Sequence, residues 1–155
     1  MNIDSEISNL RAHIGFWMRL VSNQASYSFA RKLEKCGVTV AEWVVLREMH
    51  GCDDTIAPSH IATLTCLTRG AVSKLVDRLL HKNLVTKKES TAGDRRYQEI
   101  QLTKIAKSLI PKLAKLADEN DDQFFSALTP SERKTLTALL KKTADQNKLT
   151  KLPIT

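Results

Sequence analysis

A length of 155 residues, 42% of them hydrophobic and 5% aromatic, suits one aliphatic, helix-rich core with an added arm and argues against a disordered chain. The net charge of +7 and pI near 9.5 leave three explanations: nucleic acid, an anionic membrane surface, or a merely soluble basic protein. No stretch approaches the roughly 18 consecutive apolar residues of a membrane span, and the N-terminus lacks an apolar signal core, so a soluble cytoplasmic protein is expected.

Along the chain, Ile3, Ile7, Leu10, Ile14, Trp17 and Val21 recur at spacings of four and three, which predicts a first helix over residues 5–36 packing on other helices. Gly37 supplies its stop. Thr39 with Glu42 forms a capping box for a second helix through Met49, ended by Gly51, Asp53 and Asp54. Pro58 suits the first turn of a short third helix over Ser59 to Leu64, although Ala57 is a poor cap. Thr68 caps a fourth helix whose apolar stripe is Val72, Leu75, Val76 and Leu79, with Asn83 closing it. Two strands, Leu84 to Glu89 and Tyr97 to Leu102, flank a turn-rich segment and make a hairpin with a basic tip.

Thr103 then caps a long helix carrying Ile105, Leu109, Leu113 and Leu116 on one stripe, with Pro111 inside it and an acidic break at Asp118 to Asp122. Thr129, Pro130, Ser131 and Glu132 start the last helix, whose apolar face is Leu136, Leu139 and Leu140. The fold class is therefore mainly α, a helix-turn-helix with a β wing plus N- and C-terminal helices that have few partners within the chain.

Where the charge lies decides among the explanations for it. Residues 67–96 hold eight basic and three acidic residues, while the C-terminal basic run reads as a solvated helix face. A helix-turn-helix sends its second helix into the major groove by the N-terminal end. There Arg69 and Ser73 are placed to reach bases; the arginine fork matches guanine O6 and N7, while Gly70 and Ala71 keep the surface low for close approach or a thymine methyl. Thr68 caps the helix, and Lys74 and Arg78 are assigned to phosphates. Arg95 and Arg96 at the hairpin tip suit a narrow minor groove, with Asp94 orienting one of them.

His13 and Trp17 share a face of the first helix and, with Arg47 of the second, are candidates to line an apolar pocket with a cation for a small aromatic or phenolic ligand. The alternative places Trp17 in a dimer core and leaves His13 and Arg47 at the surface. Trp43 lies on the apolar stripe with Val40 and Leu46 and reads as core. Cys36, Cys52 and Cys66 are odd in number and unpaired by spacing, so reduced thiols are expected, with Cys66 the one nearest a reactive setting. His13, His50, His60 and His81 are scattered; no metal site, no cofactor and no catalytic constellation is expected.

Taken together, Ile61-Ala62, the run Leu67-Thr68-Arg69-Gly70-Ala71-Val72-Ser73-Lys74-Leu75-Val76-Asp77-Arg78-Leu79, then Asn83-Leu84-Val85, Gly93-Asp94-Arg95-Arg96 and Leu102-Thr103 resemble the MarR family. Glu42-Trp43 with Leu46 and the start Leu128-Thr129-Pro130 extend the match. The resemblance implies a homodimeric transcriptional repressor that binds a pseudo-palindromic double-stranded operator and is released by a small-molecule effector. Asp94 and Arg96 take the family's wing-motif positions, so the minor-groove role passes to Arg96 with Arg95 assisting. It also implies three parts: residues 1–36 and 104–155 for dimerisation, and 37–103 as the DNA-binding lobe. Two departures stand out. Cys66 occupies a turn position where glycine is frequent, which predicts a tight or strained turn, and Thr91-Ala92 replaces a proline-containing wing segment.

Overall fold

The computed structural model describes residues 7–88 and 98–154. Six α-helices and a three-stranded sheet follow in the order α1 (Ile14–Glu34), α2 (Val40–Gly51), β1 (Thr55–Ile56), α3 (Pro58–Thr65), α4 (Arg69–His81), β2 (Val85–Lys88), β3 (Glu99–Leu102), α5 (Lys104–Phe124) and α6 (Pro130–Gln146). A short 3-10 turn, Leu10–Ala12, precedes α1. The expected single first helix is thus broken at His13, whose backbone is extended at φ −86° and ψ 128°.

Helix ends follow local chemistry. Thr39 accepts from the Glu42 amide while Glu42 accepts from the Thr39 amide, and Thr129 and Glu132 repeat this reciprocal box at α6. Thr103 caps α5 through the Ala106 amide. Gly37 takes φ 71°, and the Val38 amide returns to the Leu33 carbonyl to close α1. Asn83 closes α4 in the same way at φ 55°, with the Leu84 amide on the Leu79 carbonyl.

The sheet order is β1-β3-β2, antiparallel throughout, with Val85 opposite Leu102 and Ile56 opposite Ile100. The β2–β3 pair is the predicted hairpin. β1, two residues long, was not foreseen, because so short a strand carries no periodicity. Val85, Ile100 and Leu102 point into one core with Leu33, Leu46, Met49, Ile61, Leu75, Leu79, Ile110 and Leu113. Trp43 packs partly buried against that core, edge-on to Phe29 at 6.3 Å.

Two further expectations change. Ile105 is exposed, because α5 turns Ala106, Ile110 and Leu113 inward. Asp118 to Asp122 do not break α5: Asn120 is buried between α5 and α1, where its Oδ1 accepts from Ser28 at 2.9 Å and from Lys32 at 3.0 Å. Among the described residues no helix is long and apolar enough to cross a membrane.

Candidate nucleic-acid interface

Helices α3 and α4 are joined by Cys66, Leu67 and Thr68, and the direction change is made at Cys66, which adopts φ 59° and ψ 15°. A non-glycine residue held there bears the predicted strain. Thr68 is extended and accepts from the Ala71 amide at 3.2 Å, so α4 begins at Arg69. Val72, Leu75, Val76 and Leu79 are buried, and this stripe fixes the rotation of the helix. The opposite face presents Arg69, Gly70, Ser73, Lys74 and Arg78 to solvent, while Ala71 is half-buried. A Cβ at Gly70 would meet nothing within 4 Å, so no packing inside the fold requires glycine there.

Arg69 and Lys74 form no ion pair among the described residues. Arg78 differs. Its Nε is 3.7 Å from Oε1 of Glu42, a carboxylate with no solvent exposure, although half of the Arg78 side chain remains in water. Lys82 is held more closely, its Nζ donating to both Glu42 oxygens at 2.8 and 2.9 Å and to the Gly37 carbonyl at 2.8 Å. Glu42 therefore closes the α2 cap and pins α4 to α2, a link the sequence pattern did not disclose because the partners are 40 residues apart. Part of the basic excess on α4 is internal counter-charge.

Beside the recognition face runs an open groove between α3, α4 and the sheet, lined by Ser59 and Thr63, Arg69 and Ser73, and by Lys87 and Gln98 of the hairpin arms. Ser59, Lys87 and Gln98 were absent from the sequence-derived set. The first helix of a helix-turn-helix crosses the nucleic-acid backbone, which would have brought Ser59 into that set. Lys87 was visible in the charge count but no local pattern placed it on this side. Lys88, next along, sits 3.7 Å from Glu99 across the hairpin. Asp94, Arg95 and Arg96 lie outside the described residues.

None of the grooves formed by the described residues is lined by more than one of the effector candidates. His13 Nε2 lies 3.0 Å from the Ser8 hydroxyl, and Trp17 Nε1 donates to the Arg11 carbonyl at 2.8 Å. A shallow groove beside His13 is lined by Leu10, Phe16, Arg19 and Leu20, without Trp17 or Arg47. Arg47 is exposed on α2. All three cysteines are exposed and unpaired.

Residues 37–96 match the model of the MarR family, a span that includes α2, α3, α4 and β2. Solved structures extend the likeness to nearly the whole chain. A variant of MarR from E. coli, complexed with operator DNA, is 24% identical with a TM-score of 0.72, covering 88% of this chain and 99% of its own. BpsR from Bordetella bronchiseptica, whose DNA binding is regulated by 6-hydroxynicotinic acid, is 22% identical with a TM-score of 0.75, over 90% of this chain and 98% of its own. The organohalide-sensing regulator RdhR-CbdbA1625, bound to 2,4-dichlorophenol, is 16% identical with a TM-score of 0.74, over 98% of this chain and 96% of its own. At these identities the likeness is one of fold.

Proposed function

We propose that this chain, whose residues 37–96 match the model of the MarR family, is a sequence-specific, double-stranded-DNA-binding transcriptional regulator of that family, a homodimeric repressor released by a small-molecule effector. The observation that carries the reading is the recognition face of α4: Arg69, Ser73 and Lys74 stand exposed around Gly70, on a helix locked in rotation by its buried stripe. Arg69 and Ser73 read base edges, Gly70 and Ala71 let the helix approach, and Thr68 holds its first turn. Lys74 contacts phosphate, and Arg78 does so while sharing its charge with Glu42. Asp94, Arg95 and Arg96 serve the minor groove beside it. Residues 37–103 form the reading lobe, with 1–36 and 104–155 joining the subunits. The E. coli relative bound to operator DNA supports this assignment.

Dimerisation is supported by what the protomer leaves uncovered. Ile14 is 78% exposed, and Leu10, Trp17 and Met18 lie near it along the N-terminal segment; Leu139 is 56% exposed on α6 beside Leu136 and Leu140. Monomers rarely expose extended contiguous apolar faces, and such faces mark association surfaces. Two lobes so joined would place their recognition helices in successive major grooves, about 34 Å apart, on a pseudo-palindromic operator. An effector that binds better to another lobe spacing weakens DNA binding by its differential affinity, typically about 1–3 kcal/mol. Relatives that respond to 6-hydroxynicotinic acid or bind 2,4-dichlorophenol favour a small aromatic or phenolic effector. His13, Trp17 and Arg47 are the residues of this chain that would line such a site.

Titration of the purified protein against genomic DNA fragments tests the function. Selection of particular sequences with an affinity that falls steeply as salt rises is expected. Uniform weak binding to all fragments, or none, rejects it.

A further inference from the structure

Helix α6 buries none of its residues and has few contacts with the other helices, yet both of its ends are fastened. At its start, Arg133 donates through Nη1 to Asp122 at 2.7 Å and through Nε to the Phe125 carbonyl at 3.1 Å. Its end is closed by Lys148 at φ 53° and by the Leu149 amide bonding back to the Ala144 carbonyl at 3.0 Å. The chain then reaches the helix-turn-helix. There the Leu152 amide donates to the Leu64 carbonyl at 2.9 Å, and the Lys151 ammonium donates to the Thr63 carbonyl. The half-buried Leu152 side chain faces an apolar recess lined by Val44, Val45, Ile56 and Ile61.

Thr63 and Leu64 belong to the last turn of α3, whose carbonyls have no acceptor role inside the helix. With eight residues, α3 is the shortest α-helix among the described residues, and Ala57 gives its N-terminus no side-chain cap. Its dependence on the other end is correspondingly large. A backbone amide and an ammonium, supplied together at a helix C-terminus, satisfy two carbonyls and oppose the negative end of the dipole.

We propose that residues 150–154 are a clasp, which caps the first helix of the helix-turn-helix and ties it to the far end of α6. The dimerisation helix and the DNA-reading unit thereby set each other's posture, a consequence that rests on the DNA-binding function proposed above. Cys66, Leu67 and the Thr68 cap follow α3 directly, so loosening its last turn loosens the seat of Arg69. Neither end of the clasp is a ligand site; it is a mechanical link within one chain.

Amide hydrogen exchange on the full-length protein and three variants tests this: deletion of residues 150–155, Leu152→Asp, and three glycines inserted between Leu149 and Thr150. The deletion and Leu152→Asp should each speed exchange of amides 62–66 by about tenfold while leaving the core amides of α4 and α5 unchanged. The glycine insertion should leave amides 62–66 protected, because the cap survives, but speed exchange in the last turn of α6, because the tether is slack. Unchanged exchange at 62–66 in the deletion overturns the cap. Unchanged exchange at the end of α6 in the glycine variant overturns the tie. A several-fold loss of DNA affinity in the deletion is the expected consequence. If the parent protein binds no DNA, the function proposed above fails while exchange still judges the clasp.

Discussion

Arg69 stands in the first turn of α4 and Lys74 in its second, both exposed and neither engaged by a carboxylate among the described residues. Their roles separate by the chemistry of each head group, a planar fork against a point charge. Arg69→Ala should cost about 1–3 kcal/mol of discrimination between the preferred and an altered duplex, whereas Lys74→Ala should weaken every sequence alike and lower the salt slope by about one. Fluorescence anisotropy on both duplexes at several salt concentrations reads the two effects apart; equal losses on all sequences would reject the division. Cys66 makes a second residue-scale prediction from its φ of 59°. Cys66→Gly should stabilise by about 0.5–1 kcal/mol and Cys66→Val should destabilise by more than that, since a β-branched side chain is worst in the left-handed region. Equilibrium urea unfolding measures both, and a more stable Val variant would contradict the strain.

Elements are joined by a few polar and charged side chains, most of whose partners are remote in sequence. Glu42 secures α2 to α4 through Lys82, and Asn120 secures α5 to α1 through Ser28 and Lys32. Asp54 joins three elements, its carboxylate meeting Lys107 of α5 at 2.6 Å and lying 3.5 Å from His50 of α2, while its carbonyl accepts from Leu102 of β3. The hydrogen bond from Lys107 holds the Asp54 carboxyl below the usual carboxylate range, against the opposing pull of desolvation. A carboxyl depressed in the folded state stabilises above its unfolded pKa, and that contribution is lost as pH falls through the folded value. The melting temperature should therefore fall more between about pH 6 and about pH 3 in the parent than in Asp54→Asn, which has no such proton to bind. Parallel melting profiles for the two proteins would remove Asp54 from the account.

The whole protomer leaves its N-terminal segment and α6 with apolar faces in water, while its core is complete without them. Substituting Leu139→Glu together with Leu140→Glu places two charges on the exposed face of α6 and should yield a folded monomer. Sedimentation would report the mass, and circular dichroism would show the helices retained. DNA affinity should then drop by about 100-fold or more, because the second lobe no longer binds at a high effective concentration. A variant that remains dimeric, or a monomer that holds DNA as tightly as the parent, contradicts the arrangement.

Caps and stripes were legible in the residues because both are local: a threonine oxygen meets an amide three positions on, and an apolar side recurs every three or four residues. Thr39 with Glu42, Thr68, Thr103 and Thr129 with Glu132 all cap the helices they were expected to cap, and the buried stripe of α4 is the one its spacing describes. The order of helices followed from these, and the hairpin from two short strand patterns around a turn-rich segment, which are local as well. Tertiary structure decided the rest. It broke the first helix at His13, turned Ile105 outward, paired β1 with β3, divided Arg78 between solvent and Glu42, and laid Lys151 on a carbonyl 88 residues away. Each of these depends on which distant groups arrive to compete for a hydrogen bond, a charge or a place in the core, and no window of neighbouring residues contains that information.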